Sequence, residues 1–137
     1  MAKTAEFELV APEELLLSEI VELVVVPGAE GDFGVLPGHS PLISTLRTGV
    51  ISVYEKDEIK KRLFVSGGFA EVTPERCTVL ADEAVSIEAV DRHDVENRVQ
   101  ADQEIFDAAN EDEKEDAAEA LRISEALLAA LDTAGQA

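Results

Sequence analysis

The hydrophobic pattern of this 137-residue chain changes its period near Asp91. Before that point, β-branched and apolar residues come in runs of roughly four to eight, and Pro, Gly or Asp interrupts them about every ten residues. Such runs are typical of short strands in an antiparallel sandwich or barrel. After Asp91, apolar residues recur at the spacing of a helix. The sequence therefore predicts an α+β chain whose strands precede its helices.

Two apolar stripes follow Asp91, one after the other. The first comprises Val95, Val99, Phe106 and Ala109, and the second comprises Ala117, Leu121, Ser124, Leu128 and Leu131. Asp91 and Asp112 each have an acid three residues later, which is typical of helix N-caps. The residues between the stripes include no Gly or Pro, so one long helix is the alternative to a hairpin. Two stripes and a second cap favour the hairpin.

The chain is strongly acidic, with 30 acids, 11 bases and a formal net charge of −19. Residues 88–137 hold 15 acids and 4 bases, a net charge of −11. Such a surface repels nucleic acid and anionic lipid, so we expect neither as a direct partner. Basic protein surfaces are the natural targets.

The segment Val26–Ile43, VPGAEGDFGVLPGHSPLI, concentrates glycine and proline between two apolar runs. Only three residues separate Gly34 from Gly38, and His39 stands where a phosphate-binding loop needs Lys. His39 and Ser40 are triad residue types, but neighbours in sequence rarely converge as base and nucleophile. We interpret the segment as a stiff loop that a basic partner binds through Glu30, Asp32 and Phe33; Phe33 could equally fill the core.

The remaining reactive residue types predict no catalytic or metal site. Cys77 is the single cysteine, and its place in an alternating run predicts a buried strand residue. His39 and His93 lack the regular spacing of metal ligands. The acidic run 111–116, EDEKED, lacks the glycine and ligand spacing of an EF-hand. We therefore expect no enzyme activity, no metal and no cofactor.

Four stretches of the sequence together resemble the epsilon subunit of bacterial F-type ATP synthases: EGDFGVLPGHSPLI, LRTGVISV, RLFVSGGFAEV and VLADEAV. The resemblance runs from about Phe7 to Asp91. It implies a β-sandwich of about ten short strands in residues 1–87 and an antiparallel two-helix hairpin in residues 88–137. It also implies a non-catalytic central-stalk subunit of the proton-translocating enzyme, which couples the c-ring to gamma and the catalytic head.

The resemblance also implies contact residues and a location. The block matching the family's c-ring-facing residues is Glu30, Gly31, Asp32, Phe33 and Gly34, and the block near gamma is Pro37, Gly38, His39, Ser40 and Pro41. The alpha and beta subunits are further candidate partners, which the helical tail would contact. The N-terminus MAKTAEFELV carries no secretory or mitochondrial targeting pattern. We therefore expect a peripheral protein at the cytoplasmic face of the bacterial inner membrane, attached only through the complex.

Two departures from the family concern the tail. Some members bind ATP through a pattern whose positions here are Val90, Asp91, Asp94 and Val95; Asp94 replaces an arginine and Val95 an alanine. We expect ATP binding to be weak or absent. The family's inhibitory tail uses basic side chains, whereas this one is strongly acidic, so we expect weak inhibition of ATP hydrolysis.

Two other classes of function stay open at this point. A free acidic β-sandwich adaptor could bind a basic peptide or a small ligand. A small hydrolase using His39 and Ser40 is the more remote alternative.

Overall fold

The computed structural model describes residues 4–11 and 14–134, which form ten strands and two helices in two compact units. The units divide between Glu88 and Ala89. The strands are β1 Ala5–Ala11, β2 Glu14–Val21, β3 Leu23–Gly28, β4 Gly31–Val35, β5 Leu42–Thr45, β6 Gly49–Glu55, β7 Glu58–Ser66, β8 Phe69–Val72, β9 Arg76–Leu80 and β10 Glu83–Ser86. The helices are α1 Arg92–Ala108 and α2 Lys114–Ala134.

The strands form two five-stranded sheets. Sheet 1 has the order β2-β1-β9-β8-β5, and sheet 2 has the order β10-β7-β6-β3-β4. All neighbouring strands pair antiparallel except β1 and β9, which are parallel. The prediction of a sandwich with about ten strands followed by two helices is confirmed, and the barrel alternative is excluded.

The core lies between the sheets and follows the two-residue period of the strands. In β1, Phe7 and Leu9 are 0% and 1% exposed, while Glu6 and Glu8 point outward. Cys77 pairs with Phe7 across the sheet and is also 1% exposed. Burial of each large apolar side chain contributes about 1.5–3 kcal/mol. The predicted burial of Cys77 in a strand is confirmed.

Tight turns set the register of the strands. Lys56 and Asp57 both have positive φ, 55° and 66°, between paired residues Glu55 and Glu58. Two such residues are the signature of a type I′ hairpin turn, whose twist matches that of the flanking strands. Lys56 and Asp57 therefore form a charged hairpin turn between β6 and β7.

The helical unit is a hairpin, and the alternative of one long helix is wrong. Arg92 at the start of α1 pairs with Asp132 near the end of α2, with Nη2 and Oδ1 2.5 Å apart. The predicted cap is confirmed, because the Asp91 carboxylate accepts hydrogen bonds from the backbone N–H groups of His93 and Asp94 at 2.7 and 3.4 Å.

The second predicted cap is wrong. Asn110 Oδ1 accepts from the Glu113 backbone N–H at 3.0 Å, and Glu113 Oε1 accepts from the Asn110 N–H at 3.2 Å. This reciprocal capping box satisfies both donors at the helix start, and it leaves Asp112 exposed within the turn.

The buried face of α2 is also wider than the predicted stripe. Ala117, Leu121 and Ser124 are buried as predicted, but Leu127 is 2% exposed while Leu128 is half-buried. The apolar face of a packed helix commonly spans about 100° or more of its circumference, so adjacent positions such as 127 and 128 can both belong to it.

Candidate interaction surface

The segment Val26–Ile43 is not the single loop predicted from the sequence. Its first part completes β3, turns at Ala29 and Glu30, and returns as β4; its last two residues begin β5. Because β4 is an edge strand of sheet 2 and β5 is an edge strand of sheet 1, residues 36–41 connect one sheet to the other. We call the β3–β4 pair the tip hairpin and residues 36–41 the connector.

The turn of the tip hairpin depends on glycine at its exit. Gly28 pairs with Gly31 across the turn. Neither Ala29 nor Glu30 has positive φ, whereas Gly31 has a φ of 136°, which side chains disfavour. A Cβ on Gly28 would lie 2.9 Å from Cε1 of Phe33, so this position also requires glycine. The two glycines therefore serve the hairpin geometry rather than a phosphate group.

The residues that follow β5 hold the turn of the tip hairpin in place. The Ala29 N–H donates to Thr45 O at 2.9 Å, and the Arg47 N–H donates to Pro27 O at 3.0 Å. The Arg47 guanidinium donates to Gly28 O at 2.7 Å through Nη1 and pairs with Asp32 through Nη2. This set of contacts fixes the turn before any partner arrives.

The residues predicted to face the c-ring differ in their exposure and in their contacts. Glu30 is exposed in the turn, and among the described residues no cation forms an ion pair with it. Asp32 is exposed but paired with Arg47. Phe33 is half-buried and packs against the sandwich core, which favours its role as core filling. Gly31 and Gly34 are exposed on β4.

The residues predicted to contact gamma lie in the connector. Leu36 O accepts a hydrogen bond from the His39 N–H at 3.1 Å. The two residues between them are Pro37 and Gly38, and Gly38 has a positive φ of 83°. Proline followed by glycine with positive φ is the signature of a type II turn. The Gly38 N–H donates to Pro74 O at 2.8 Å and ties the connector to the β8–β9 turn. Ser40 and Pro41 are exposed.

His39 and Ser40 form no nucleophile–base pair. Nδ1 of His39 donates to the backbone oxygen of Ser40 at 2.7 Å, so this ring nitrogen serves the turn. Triad chemistry needs the imidazole within hydrogen-bond reach of the nucleophile's hydroxyl and oriented by a third group. The structure therefore gives no support to the hydrolase alternative.

Sequence reasoning missed the apolar outer face of sheet 1. Phe69, Leu80 and Ile43 are 42%, 39% and 69% exposed. Phe69 pairs with Leu80 in register, and Ile43 lies on the same side of the adjacent strand β5. We call these three residues the apolar face. For Phe69 and Leu80 a signal was present, since each is next to a buried residue, but alternation alone does not tell which apolar side chain faces the core.

A groove of about 460 Å³ opens between the sheets beside β2 and β10. Leu9, Leu17, Leu63 and Ala84 line it, and Lys60 and Lys61 border it. Both lysines are already paired, Lys60 with Glu55 at 2.8 Å and Lys61 with Glu19. Neither of these two lysines is therefore available to orient an anionic ligand in the groove.

Asp91 and Val95, two of the residues at the family's ATP-binding positions, have structural roles in α1. The carboxylate of Asp91 caps α1, and Val95 is 4% exposed. Asp94 is exposed in the first turn, where its negative charge would oppose a triphosphate. Within residues 4–11 and 14–134, no group of three or more His, Cys, Asp or Glu side chains is arranged to hold a metal.

These features define a protein of the interaction-module class: a β-sandwich with a fixed hairpin and an apolar outer face, joined in sequence to a helical pair. Residues 4–87 match the family model for the β-sandwich domain of the ATP synthase delta/epsilon chain. The chain belongs to this family, whose epsilon chains are non-catalytic stalk subunits of the rotary ATP synthase.

Relatives and solved structures agree with this assignment. The chain is 57% identical to the ATP synthase epsilon chain of Rhodospirillum rubrum over 131 residues, covering 95% of this chain and 98% of that one. It is 46% identical to the epsilon chain of Paramagnetospirillum magneticum over 132 residues, covering 96% and 99%. It also superposes on a chain in a structure of the OSCP, F1 and c-ring of the Euglena gracilis mitochondrial ATP synthase, with a TM-score of 0.79. The two chains are 27% identical, and the match covers 96% of this chain and 83% of that one.

No helix among the residues that the structure describes is long and apolar enough to cross a membrane.

Proposed function

We propose that this stalk subunit connects the c-ring to gamma through two different surfaces of its sandwich. The tip hairpin binds the cytoplasmic loops of the c-ring, and the apolar face together with the connector binds gamma. The observation that carries the proposal is the fixed tip hairpin, which holds Glu30, a carboxylate without an ion-pair partner among the described residues, in an exposed turn. A surface fixed before binding loses little conformational freedom when it docks.

The apolar face supports the gamma contact. Large apolar side chains clustered on an exposed sheet surface are characteristic of protein interfaces. Phe69 supplies an aromatic side chain, a residue type enriched where binding energy concentrates. The connector extends this surface, because it leads directly into β5 and is tied to Pro74 at the β8–β9 turn.

The proposed location is the cytoplasmic face of the bacterial inner membrane. Attachment there is peripheral and depends on gamma and the c-ring. The net charge of −19 supports this mode, because a strongly acidic protein is repelled by anionic lipid and needs a protein partner to remain at the membrane.

A tagged copy of the chain, expressed in its own cells, tests the assembly directly. We expect detergent extracts to yield the tagged chain together with the membrane-attached ATP synthase. Recovery of the chain with a soluble basic protein, and without ATP synthase subunits, would instead support the adaptor alternative.

For the helical unit, we propose weak or absent ATP binding. Asp91 is occupied as a cap, Val95 is buried, and Asp94 adds negative charge at the same end of the helix. Isothermal titration of MgATP into the full chain should give no micromolar or tighter binding. Titration heat that fits micromolar affinity would refute this part of the proposal.

The same unit is proposed to be mainly structural rather than inhibitory. Each of its four basic residues already has a contact inside the unit. Arg92 pairs with Asp132, Arg98 with Asp102, Arg122 with Glu119, and Lys114 lies 5.2 Å from the centroid of the Phe106 ring. All four cations are thus committed before any docking against an acidic segment of the beta subunits. Deletion of residues 90–137 should leave ATP hydrolysis by the assembled enzyme nearly unchanged, and a several-fold rise would contradict the proposal.

A further inference from the structure

We propose that Arg47 is a positioning residue for the c-ring contact, that Asp32 is its internal counter-ion, and that Glu30 alone provides the charge that the partner reads. This inference rests on the proposed function and refines it. The c-ring-facing block contains two acids, and the structure gives them different roles.

Arg47 contacts the tip hairpin at three points. Its backbone N–H donates to Pro27 O, its Nη1 donates to Gly28 O, and its Nη2 pairs with Asp32. Pro27 and Gly28 end β3, whereas Asp32 lies on β4, so one guanidinium joins both strands of the hairpin. The planar guanidinium can make the last two contacts at once, which the single ammonium of lysine matches poorly.

Residues 45–47 also join the tip hairpin to the other sheet. Arg47 follows β5 of sheet 1 and precedes β6 of sheet 2. Leu46 forms an isolated bridge with Gly28, and Thr45 O accepts from the Ala29 N–H. The tip hairpin is an edge of sheet 2, so without these contacts its turn would be held by β3–β4 pairing alone. Arg47, together with Thr45 and Leu46, therefore limits the positions that Glu30 can occupy.

The charge balance follows from the same contacts. The pair between Asp32 and Arg47 is neutral as a unit, and Glu30 remains the one unpaired charge among these three side chains. A cationic side chain of the c-ring that approached Asp32 would compete with Arg47, whereas Glu30 can pair without such competition. The surface therefore fits a partner that presents one cation to each turn.

Association with the membrane sector tests the division of roles. The probe is the purified complex of catalytic head, gamma and this chain, bound to membranes that contain the c-ring, across a series of NaCl concentrations. Glu30→Gln should weaken association about two- to fivefold, the range of one exposed ion pair, and flatten its salt dependence. Glu125→Gln, which neutralises an exposed acid on α2, makes the same change in net charge; it serves as the matched control and should change neither.

A double-mutant cycle tests the role of Asp32. Measured by urea denaturation of the free full-length chain, Asp32→Asn should lower the unfolding midpoint while Arg47 is present, because it removes the partner of the guanidinium. In the Arg47→Gln background the same substitution should leave the midpoint unchanged. An equal loss in both backgrounds would mean that the two side chains do not act as a pair, and it would overturn the role of Asp32 as internal counter-ion.

Hydrogen exchange of the free full-length chain tests the positioning role without any partner. Arg47→Gln should speed exchange at the Ala29 N–H by about tenfold or more and leave exchange in β8 and β9 unchanged, while Arg47→Lys restores only part of the protection. Unchanged exchange at Ala29 would overturn the role of Arg47. If the wild-type chain gave no chain-dependent association, the proposed function would fail, and the exchange result would still decide the positioning claim.

Discussion

Gly68 lies so close to Leu80 that a Cβ atom on Gly68 would stand 1.8 Å from the backbone oxygen of Leu80. The φ of Gly68 is also positive, at 97°. Both constraints arise where the chain leaves β7 in sheet 2 and enters β8 in sheet 1, a passage made through Gly67 and Gly68. Residues 66–69, SGGF, therefore mark the point where the chain crosses between the two sheets.

Substitution of Gly68 by alanine should destabilise the sandwich severely. The obstacle is a backbone oxygen, so relief requires movement of β9 rather than rotation of a side chain. We expect Gly68→Ala to lower the free energy of unfolding by about 3 kcal/mol or more, measured by urea denaturation.

Gly38→Ala is the matched control for Gly68→Ala. Gly38 also has a positive φ, 83°, but a Cβ atom placed on it would meet no atom within 4 Å. Its loss should be only the conformational cost of about 1 kcal/mol. Equal losses for the two variants would show that backbone conformation, and not the contact with Leu80, sets the requirement for Gly68.

The start of α2 offers a second comparison. Asn110→Ala removes the side-chain acceptor of the capping box and should lower the free energy of unfolding by about 1 kcal/mol. Asp112→Ala removes an exposed acid from the same turn and should change it by less than about 0.5 kcal/mol. Denaturation followed by helical circular dichroism measures both. A larger effect at Asp112 would restore the cap predicted from the sequence.

Cys77 should be unreactive in the folded chain. Burial raises the pKa of its thiol to about 12, from an ordinary value of 9.0, so the nucleophilic thiolate is scarce at neutral pH. A thiol reagent at about pH 8 should label the unfolded chain roughly a hundredfold faster than the native one, or more. Labelling at equal rates would contradict the burial of this side chain.

The raised pKa of Cys77 should make the folded chain less stable at high pH. The thiol ionises near pH 9.0 when unfolded and near pH 12 when folded. Ionisation therefore favours unfolding, and this contribution to stability is complete below about pH 9 and is lost as pH rises towards about 12. Cys77→Ala should reduce the alkaline loss of stability between about pH 9 and 11, and an unchanged pH profile would argue against the shift.

Substitution of Phe33 should reduce the stability of the chain, whereas substitution of Phe69 should reduce its binding to gamma. Phe33 packs against the core, so Phe33→Ala should lower the free energy of unfolding by about 2 kcal/mol. Phe69 is 42% exposed on the apolar face, so Phe69→Ala should change stability by less than about 1 kcal/mol and weaken binding to gamma by about tenfold or more. Denaturation and titration with purified gamma measure the two effects. The reverse pattern would contradict both assignments.

The fold was predictable because its two parts have different hydrophobic periods. Alternation in AEFELVA identifies Phe7 and Leu9 as core, and the change of period at Asp91 separates sandwich from helices. The parallel pairing of β1 with β9 was not predictable, because it joins segments far apart in the chain and no local signal specifies it. The capping box was missed because Asn110 and Asp112 are both good cap residues, and only the position of the break selects between them.

The candidate site was predictable in composition but not in arrangement. Glycine spacing excluded a phosphate loop, and the acids indicated a cationic partner. The unequal roles of Glu30 and Asp32 depend on Arg47, which lies fifteen residues beyond Asp32 and pairs with it only after the strands assemble. The apolar face likewise required the register of β5, β8 and β9, because strand pairing is what brings Ile43, Phe69 and Leu80 to one side of the sheet.

The proposed role of this chain is to couple the c-ring to gamma and the catalytic head. The most direct measurement is ATP synthesis driven by an imposed proton gradient in vesicles that contain the reconstituted enzyme, with and without this subunit. We predict that synthesis is lost without the chain, returns when the wild-type chain is added, and returns only in part with Glu30→Gln or Phe69→Ala. Equal rates of synthesis with and without the chain would contradict the account.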